Sequence, residues 1–430
     1  NIGRAAPQMV RYGTMYLRRF WRRPHYAWVI LAGVMAITGI SSGVRLSFGV
    51  LVDPLVEAHG WSRGAISGGF TLQFLTAIPV VLAVGRISGR VTVRHIVMTG
   101  AVLFALGMIL TATVDQAWQF QLYFGVLMGG VGTSAFLVVL PVLLTQWFHK
   151  KLGLVMGLMW SSLSWGPALF SPAMRWLIDT RGWEYTFILV GTAGGVAMLL
   201  SGLLLKDHPR EMGLVPYGGM PPEPRAENTG TPVATVTLRQ VMATGSFWSL
   251  IVIHTFGCVQ HAIPLAHMVS IATFAGIPGL AAAGMLTITA AASLLSRFGM
   301  SMIAEARGGR WTMVPTMLIQ TLPILLLLGG GDLWWFYSFA FFFGIGYGGE
   351  MVGFPIFNRQ YYGARAPLNA IYSYQMAGAL VGMSLGGWLG GALFDWTGAY
   401  TWAILVSFTA GIPALGAALL LPRHRSTHIV

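Results

Sequence analysis

Three charged side chains stand where charge is costly. Arg45 in SSGVRLSFGV, Arg297 in LLSRFGMSMIAE and Glu350 in GIGYGGEMVGFP each interrupt a long apolar stretch. An ionised group at bilayer depth costs at least about 2.5–3.5 kcal/mol on insertion scales, so such residues face a bundle interior or a wet path. A guanidinium stays charged at any working pH and offers a planar fork that matches a carboxylate with two parallel hydrogen bonds. Arg297 lies far from both ends of its stretch and is the leading candidate for holding a carboxylate. The competing reading is an internal ion pair that only bundles helices. Arg45 lies past the middle of its stretch, and either faces the same space or snorkels outward. If both arginines face it, one compact anion bridges them. Glu350 also has two readings: a carboxylate that takes up and releases a coupling proton, or a permanent partner of Arg297.

Softer candidates surround these three. His254, His261 and His267 are spaced by seven and six residues, nearly on one helix face. They are either helix-to-helix hydrogen-bonding groups or cavity groups. Tyr123, Trp160, Tyr372 and Gln375, with Gln73, Ser164 and Tyr374, are polar or aromatic within apolar runs. Each lines a cavity or merely packs. Of these, His261, Tyr123, Trp160, Tyr372 and Gln375 join Arg297 and Arg45 as expected substrate-binding residues.

The elements that must position them are membrane helices. Only 9% of the 430 residues are charged, against about 25% in soluble domains, and 55% are hydrophobic. A spanning helix needs roughly 20 apolar residues. Twelve stretches qualify: 27–52, 63–85, 95–113, 117–147, 152–176, 184–205, 246–274, 278–304, 311–329, 333–358, 366–394 and 399–421. The net charge of +13 does not indicate nucleic acid, because the basic residues fall in the short gaps. Arg4, Arg11, Arg18, Arg19, Arg22, Arg23, Arg86, Arg90, Arg94, Lys150, Lys151, Lys206, Arg210, Arg225, Arg239, Arg307, Arg310, Arg359, Arg365, Arg423 and Arg425 share one side. Arg63, Arg175 and Arg181 occupy the other. That bias predicts cytoplasmic termini and linker.

A Pro-rich segment, 206–244, divides the chain six and six. The expected organisation is a cytoplasmic segment 1–26, a six-helix half 27–205, a cytoplasmic linker 206–244, a second half 245–422 and a tail 423–430. The halves repeat: LIDTRG at 177–182 returns as LFDWTG at 393–398, an offset of 216, and Arg94 maps onto Arg310. Tyr361-Tyr362 falls close to the same offset from Trp147-Phe148. A parallel 6+6 duplication predicts an all-α membrane protein of twelve transmembrane helices with pseudo-two-fold symmetry.

Soluble-enzyme chemistry is not indicated. There is no G-x-x-x-x-G-K-[ST] loop, no HExxH and no CxxC. G-x-S-x-G occurs at 39–43 and 382–386, inside spans where no nucleophile elbow forms. Gly382/Gly386 and Gly386/Gly390 are read as close-packing pairs. Cys258 is the single cysteine, which excludes an intrachain disulfide and argues against a Cys-based metal site. No enzyme activity, cofactor or metal is expected.

The gap GRISGRVTVR, 85–94, resembles the major facilitator superfamily motif G-x-x-x-D-R-x-G-x-R, with Gly85, Arg90 and Arg94 in place. It departs at Gly89 and Thr92, where the family has Asp and Gly. SMIAEARGGR, 301–310, is a looser second copy in which Glu305 takes the acidic place, with Arg310 at its end. The resemblance implies a cytoplasmic gate built by Gly85, Arg90, Arg94, Glu305 and Arg310; otherwise the arginines only set topology. SFGVLVDPLVEAHGWSRGAIS (47–67), HMVSIATFAGI (267–277) and ARAPLNAIYS (364–373) resemble the monocarboxylate transporter and oxalate/formate antiporter branch. In that branch an Arg at the position of Arg297 binds the substrate carboxylate. The chain departs at Ser293, where animal relatives carry Asp, and at Val52 and Asp53, where they carry a Lys nearby. The eleventh span lacks the Lys of the oxalate carrier.

The expectation is therefore a secondary carrier of a small organic anion, a mono- or dicarboxylate, working by alternating access with proton symport. It would act as a monomer in the plasma (cell inner) membrane, both termini cytoplasmic, with lipid, the anion and protons as its partners. Two rivals stay open: a proton-coupled exporter of amphipathic drugs or cations, and a non-transporting sensor or assembly protein.

Overall fold

The computed structural model describes residues 25–61, 63–219, 236–329 and 332–423. Residues 1–24 of the expected 1–26 segment, residues 220–235 of the proline-rich linker and residues 424–430 of the tail lie outside these residues, as do Arg4, Arg11, Arg18, Arg19, Arg22, Arg23, Arg225 and Arg425. Among the described residues, twelve helices are long and apolar enough to cross a membrane. They are α1 (Ala27–Leu46), α2 (Gly68–Ile87), α3 (Val93–Thr111), α4 (Ala117–Trp147), α5 (Leu152–Arg181) and α6 (Trp183–Leu204). The second set is α7 (Gly245–Phe274), α8 (Gly284–Arg307), α9 (Gly309–Leu328), α10 (Leu333–Tyr362), α11 (Leu368–Thr397) and α12 (Thr401–Leu420). Among the described residues the only β-pairing is an isolated bridge between Phe148 and Tyr217.

The duplication read from short peptides is carried by whole elements. α5 and α11 are both 30 residues long and begin and end 216 residues apart. Gly182 and Gly398, which close the two repeated peptides, both take positive φ (88° and 70°). That backbone region is open to glycine without a Cβ clash, and lets each helix stop and the next begin. Elsewhere side chains start the helices: Thr92 accepts from the N–H of His95, Thr244 from that of Phe247, and Asp332 from that of Trp334.

Two local irregularities escaped the apolar pattern. The first span does not run unbroken to residue 52. α1 ends at Leu46, and a short helix, Gly49–His59, follows. At the junction Ser47 Oγ donates back to the Gly43 carbonyl at 2.6 Å, and in the short helix Pro54 has no N–H to donate to the carbonyl four residues earlier. In α4, Gln121–Gly132 is a wider π-helical segment. Its Gly129 and Gly130 lie against Gln73 and Thr76 of α2, where a Cβ would collide.

Within each half the helices pack through small residues. Gly382 and Gly386 of α11 lie on the carbonyls of Thr255 and Val259 of α7, leaving no room for a Cβ. The halves meet along α2–α11 and α5–α8. Gly85 abuts Ser373, and Gly153 abuts the carbonyl of Ser301. Trp118, Trp176, Trp334, Trp396 and Trp402 are exposed near the helix ends away from the linker, as interfacial tryptophans are. The linker stretch 206–217 hugs the first half: the Lys206 carbonyl accepts from Trp147 Nε1 at 2.7 Å, and the Val215 carbonyl lies 3.1 Å from His25 Nε2.

Candidate functional site

Arg297 is 2% exposed and sits on the inner face of α8. Its Nη1 donates across the boundary between halves, to the Trp160 carbonyl (3.1 Å) and to Ser164 Oγ (2.7 Å), both on α5. Trp160 and Ser164 are one helical turn apart, so one α5 face meets the guanidinium. On the other flank, Cζ lies 5.8 Å from the Tyr347 ring centroid on α10. Among the described residues no carboxylate pairs with Arg297.

Arg45 occupies the last turn of α1, where the helix dipole favours a cation. It is 8% exposed, so it points inward and does not snorkel. Its Nε donates to Gln73 Oε1 at 3.2 Å, and Cζ lies 5.6 Å from the Phe74 ring centroid. A cavity of about 20 Å³ lies beside it, lined by Thr38, Ser41, Thr133 and Trp160 among others; that is room for about one water. Trp160 thus has Arg45 on one side and Arg297 on the other. Three buried N–H donors near it, Arg297 Nε, Trp160 Nε1 and Gln73 Nε2, have no acceptor among the described residues. Two buried cations without carboxylate partners among the described residues and three unpaired donors leave this region positively biased and short of acceptors.

Glu350 is fully buried at the end of the helical run of α10. Arg297 is not its partner. Oε2 lies 3.0 Å from Nδ1 of His261 and accepts from Gln320 Nε2 at 2.9 Å, while Oε1 has no partner among the described residues. Its close seat against α7 depends on Gly257, where any Cβ would strike the carboxylate. His261 Nε2 faces Met383 Sδ at 3.2 Å, and its ring meets Tyr347 edge-on at 4.9 Å. Tyr347 therefore touches both the Glu350–His261 pair and Arg297, and lies one turn before Glu350. Cys258 joins the pair: donor atoms of Cys258, His261 and Glu350 lie within 4.8 Å of one another. Such a thiol, imidazole and carboxylate set suits a transition metal, and it arises because another helix brings the carboxylate to the single cysteine.

The other expected residues scatter. Gln375 is locked in a reciprocal amide pair with Asn358, both bonds 2.9 Å. Tyr372 is buried with its hydroxyl unpartnered among the described residues. Tyr123 lies on the π-helical part of α4, packed against the core. His254 stacks on Phe354 at 4.1 Å, and His267 reaches the Gly387 carbonyl at 3.4 Å. Tyr374 meets Arg86, not Arg297: Arg86 Nη2 donates to its hydroxyl at 3.1 Å.

At the linker side the two halves are tied by one carboxylate. Glu305 accepts the backbone N–H groups of Leu152 (3.1 Å) and Gly153 (2.7 Å), capping α5 from the opposite half. Gly85 permits the α2–α11 approach. Arg90 is exposed, and Arg94 and Arg310 are half-buried; none makes a side-chain ion pair among the described residues. Arg86 and Arg359 take the cross-half contacts instead, the latter donating Nη1 to the Phe148 carbonyl at 3.0 Å. Gln320, Tyr347 and Asn358 escaped the sequence reading. The available signal was a polar residue in an apolar run for Gln320 and Asn358, and the one-turn spacing to Glu350 for Tyr347.

A twelve-helix bundle in two similar halves, with buried cations at their boundary, defines a polytopic membrane carrier. The sequence model of the Major Facilitator Superfamily matches residues 29–357, and the chain belongs to that family. Monocarboxylate transporter 13 of Rattus norvegicus is 25% identical over 313 residues, covering 70% of this chain and 68% of that one. Monocarboxylate transporter 11 of Homo sapiens is 26% identical over 414 residues, covering 89% and 80%. The solved proton:xylose symporter XylE, bound to 6-bromo-6-deoxy-D-glucose, superposes with a TM-score of 0.68 at 13% identity, covering 94% of this chain and 97% of that one. The protein is thus a multi-pass membrane transporter.

Proposed function

We propose that this transporter carries a small organic anion, a mono- or dicarboxylate, by alternating access with proton symport. It works as a monomer in the plasma (cell inner) membrane, with both termini and the 206–244 linker in the cytoplasm. The observation that carries this reading is Arg297: a buried guanidinium at the boundary of the halves, bonded to α5 and paired with no carboxylate among the described residues. The names of the relatives, monocarboxylate transporters, point the same way.

On this reading a substrate carboxylate accepts from Arg297 Nε and the remaining amino group, and from Trp160 Nε1. Arg45 receives a second acidic group where the substrate has one. Because Arg297 belongs to the second half and Trp160 to the first, an anion held by both has different contacts in the two access states, which is what allows occupancy to drive the change. Glu350 carries the coupling proton, shared with His261, and Tyr347 links that proton to the charge on Arg297. The linker side is closed by Glu305, Arg86 and Arg359, so substrate enters from the opposite side in this state.

A ligand-stabilisation screen with mono-, di- and aromatic carboxylates across pH tests the reading. A carboxylate that raises the unfolding temperature more strongly at low pH supports it. Stabilisation by amphipathic cations and by no carboxylate would replace it with drug export.

A further inference from the structure

Beside the Phe148–Lys151 turn lies a linker-side pocket of about 690 Å³ whose charged and titratable lining is wholly basic: His149, His208, Arg210, Arg359 and Arg365. These side chains come from three different parts of the chain. His149 follows α4 in the first half. His208 and Arg210 belong to the linker. Arg359 and Arg365 flank the α10–α11 turn in the second half. The two linker acids beside His208 do not line the pocket. Glu211 accepts the backbone N–H of His208 at 3.0 Å, and Asp207 accepts that of Val93 at 3.0 and 3.1 Å. Arg359 has no carboxylate partner among the described residues. Like-charge crowding is felt within the pocket, since His149 is held below its ordinary value of 6.5 by burial first and by Arg359 second. A second pocket of about 620 Å³, lined by Arg86 among others, shares Gln146 and Arg365 with the first.

The topological charge bias puts arginines on this face. It does not gather five basic groups from three segments around one concavity with no acid in its lining. The walls are also fixed. Tyr217 N–H donates to the Trp147 carbonyl at 2.8 Å, and His149 N–H to the Tyr217 carbonyl at 2.9 Å. Arg359 then holds the Phe148 carbonyl in the same turn.

We propose that this pocket binds a phosphate-bearing anion, which bridges both halves and the linker and stabilises the state closed on this side. Several acceptor oxygens and more than one negative charge match guanidinium forks and imidazoles converging from opposite walls. Simultaneous contact with Arg210, His149 and Arg365 exists only while the halves are together here, so the anion favours that state over the open one. The phosphate comes either from a soluble molecule or from a lipid headgroup at the membrane surface.

The test uses the full chain in nanodiscs of neutral phosphatidylcholine. Unfolding temperature is followed with inorganic pyrophosphate at constant ionic strength, and in discs that also contain phosphatidic acid. The comparison protein is Arg210→Gln/Arg365→Gln, in which both altered residues are exposed. Pyrophosphate stabilisation of the native chain, weakened about tenfold or more in apparent affinity by the double variant, identifies a soluble ligand. Stabilisation only by phosphatidic acid, lost in the same variant, identifies a lipid headgroup. Arg210→Lys/Arg365→Lys keeps the charge without the forks and retains an intermediate effect, which separates ligand loss from damage to the fold. No stabilisation by either probe, or equal stabilisation of native chain and double variant, overturns the proposal.

Discussion

Replacing Glu305 by Gln removes the charge, but not the shape, of the side chain that ties α8 to the start of α5. The carboxylate accepts two backbone N–H groups, at 3.1 and 2.7 Å, from the opposite half. A hydrogen bond to a charged group contributes about 1.5–3 kcal/mol, and a carboxylate at a helix N-terminus about 0.3–1 kcal/mol. Glutamine keeps one acceptor, and the site is half-exposed, so the expected loss is about 1.5 kcal/mol from the linker-side-closed state. That is roughly tenfold in the ratio of open to closed molecules. The symmetric position supplies a reverse perturbation. Gly89 lies 216 residues before Glu305, and α11, the counterpart of α5, begins at Leu368, with Pro367 before it and no side-chain cap. A Cβ at Gly89 meets nothing within 4 Å. Gly89→Asp is therefore expected to add the missing cap and to restore the closed population in a Glu305→Gln background. Spin labels at Val91→Cys and Ala364→Cys, both exposed on the linker side, report the distance distribution by pulsed electron resonance. An unchanged distribution in Glu305→Gln would refute the view that this carboxylate closes the linker side.

Three further outcomes follow from the same geometry. Glu350→Gln keeps the bonds to His261 and Gln320 within reach but carries no titrating proton; substrate exchange should persist while proton-driven accumulation in proteoliposomes is lost. Asn358→Leu leaves Gln375 buried without its amide partner and should lower stability by about 1–3 kcal/mol; Asn358→Leu/Gln375→Leu should recover part of it in a denaturation assay. His149 titrates below its ordinary 6.5 in the fold, through burial first and Arg359 second. Its contribution to stability is then present above pH 6.5 and lost as pH falls through the lower folded value, and His149→Gln should flatten that part of the pH–stability curve.

The architecture was legible because it is written in composition. Runs of apolar residues, the Pro-rich linker and the 216-residue repeat predict twelve helices in two halves, and α5 and α11 match that offset at both ends. The break at Ser47 was hidden because apolar residues continue on both sides; at the break a hydroxyl turns onto its own helix. Arg297, Arg45 and Glu350 stood out as charges in apolar runs, but their partners did not. Glu350 meets His261 from α7 and Gln320 from α9, an adjacency that exists only after three helices pack. Motif resemblance drew attention to Arg90 and Arg94. The contacts instead fall to Arg86, one turn earlier, because the close approach at Gly85 brings α2 onto Tyr374.

The most direct test of anion recognition is calorimetric titration of the purified protein with the carboxylate that stabilises it best, comparing native chain and Arg297→Gln. The anion account predicts a saturable heat in the native chain and affinity weakened at least about tenfold in the variant, with Arg45→Gln affected most for dicarboxylates. Equal affinity in the native chain and Arg297→Gln would contradict it.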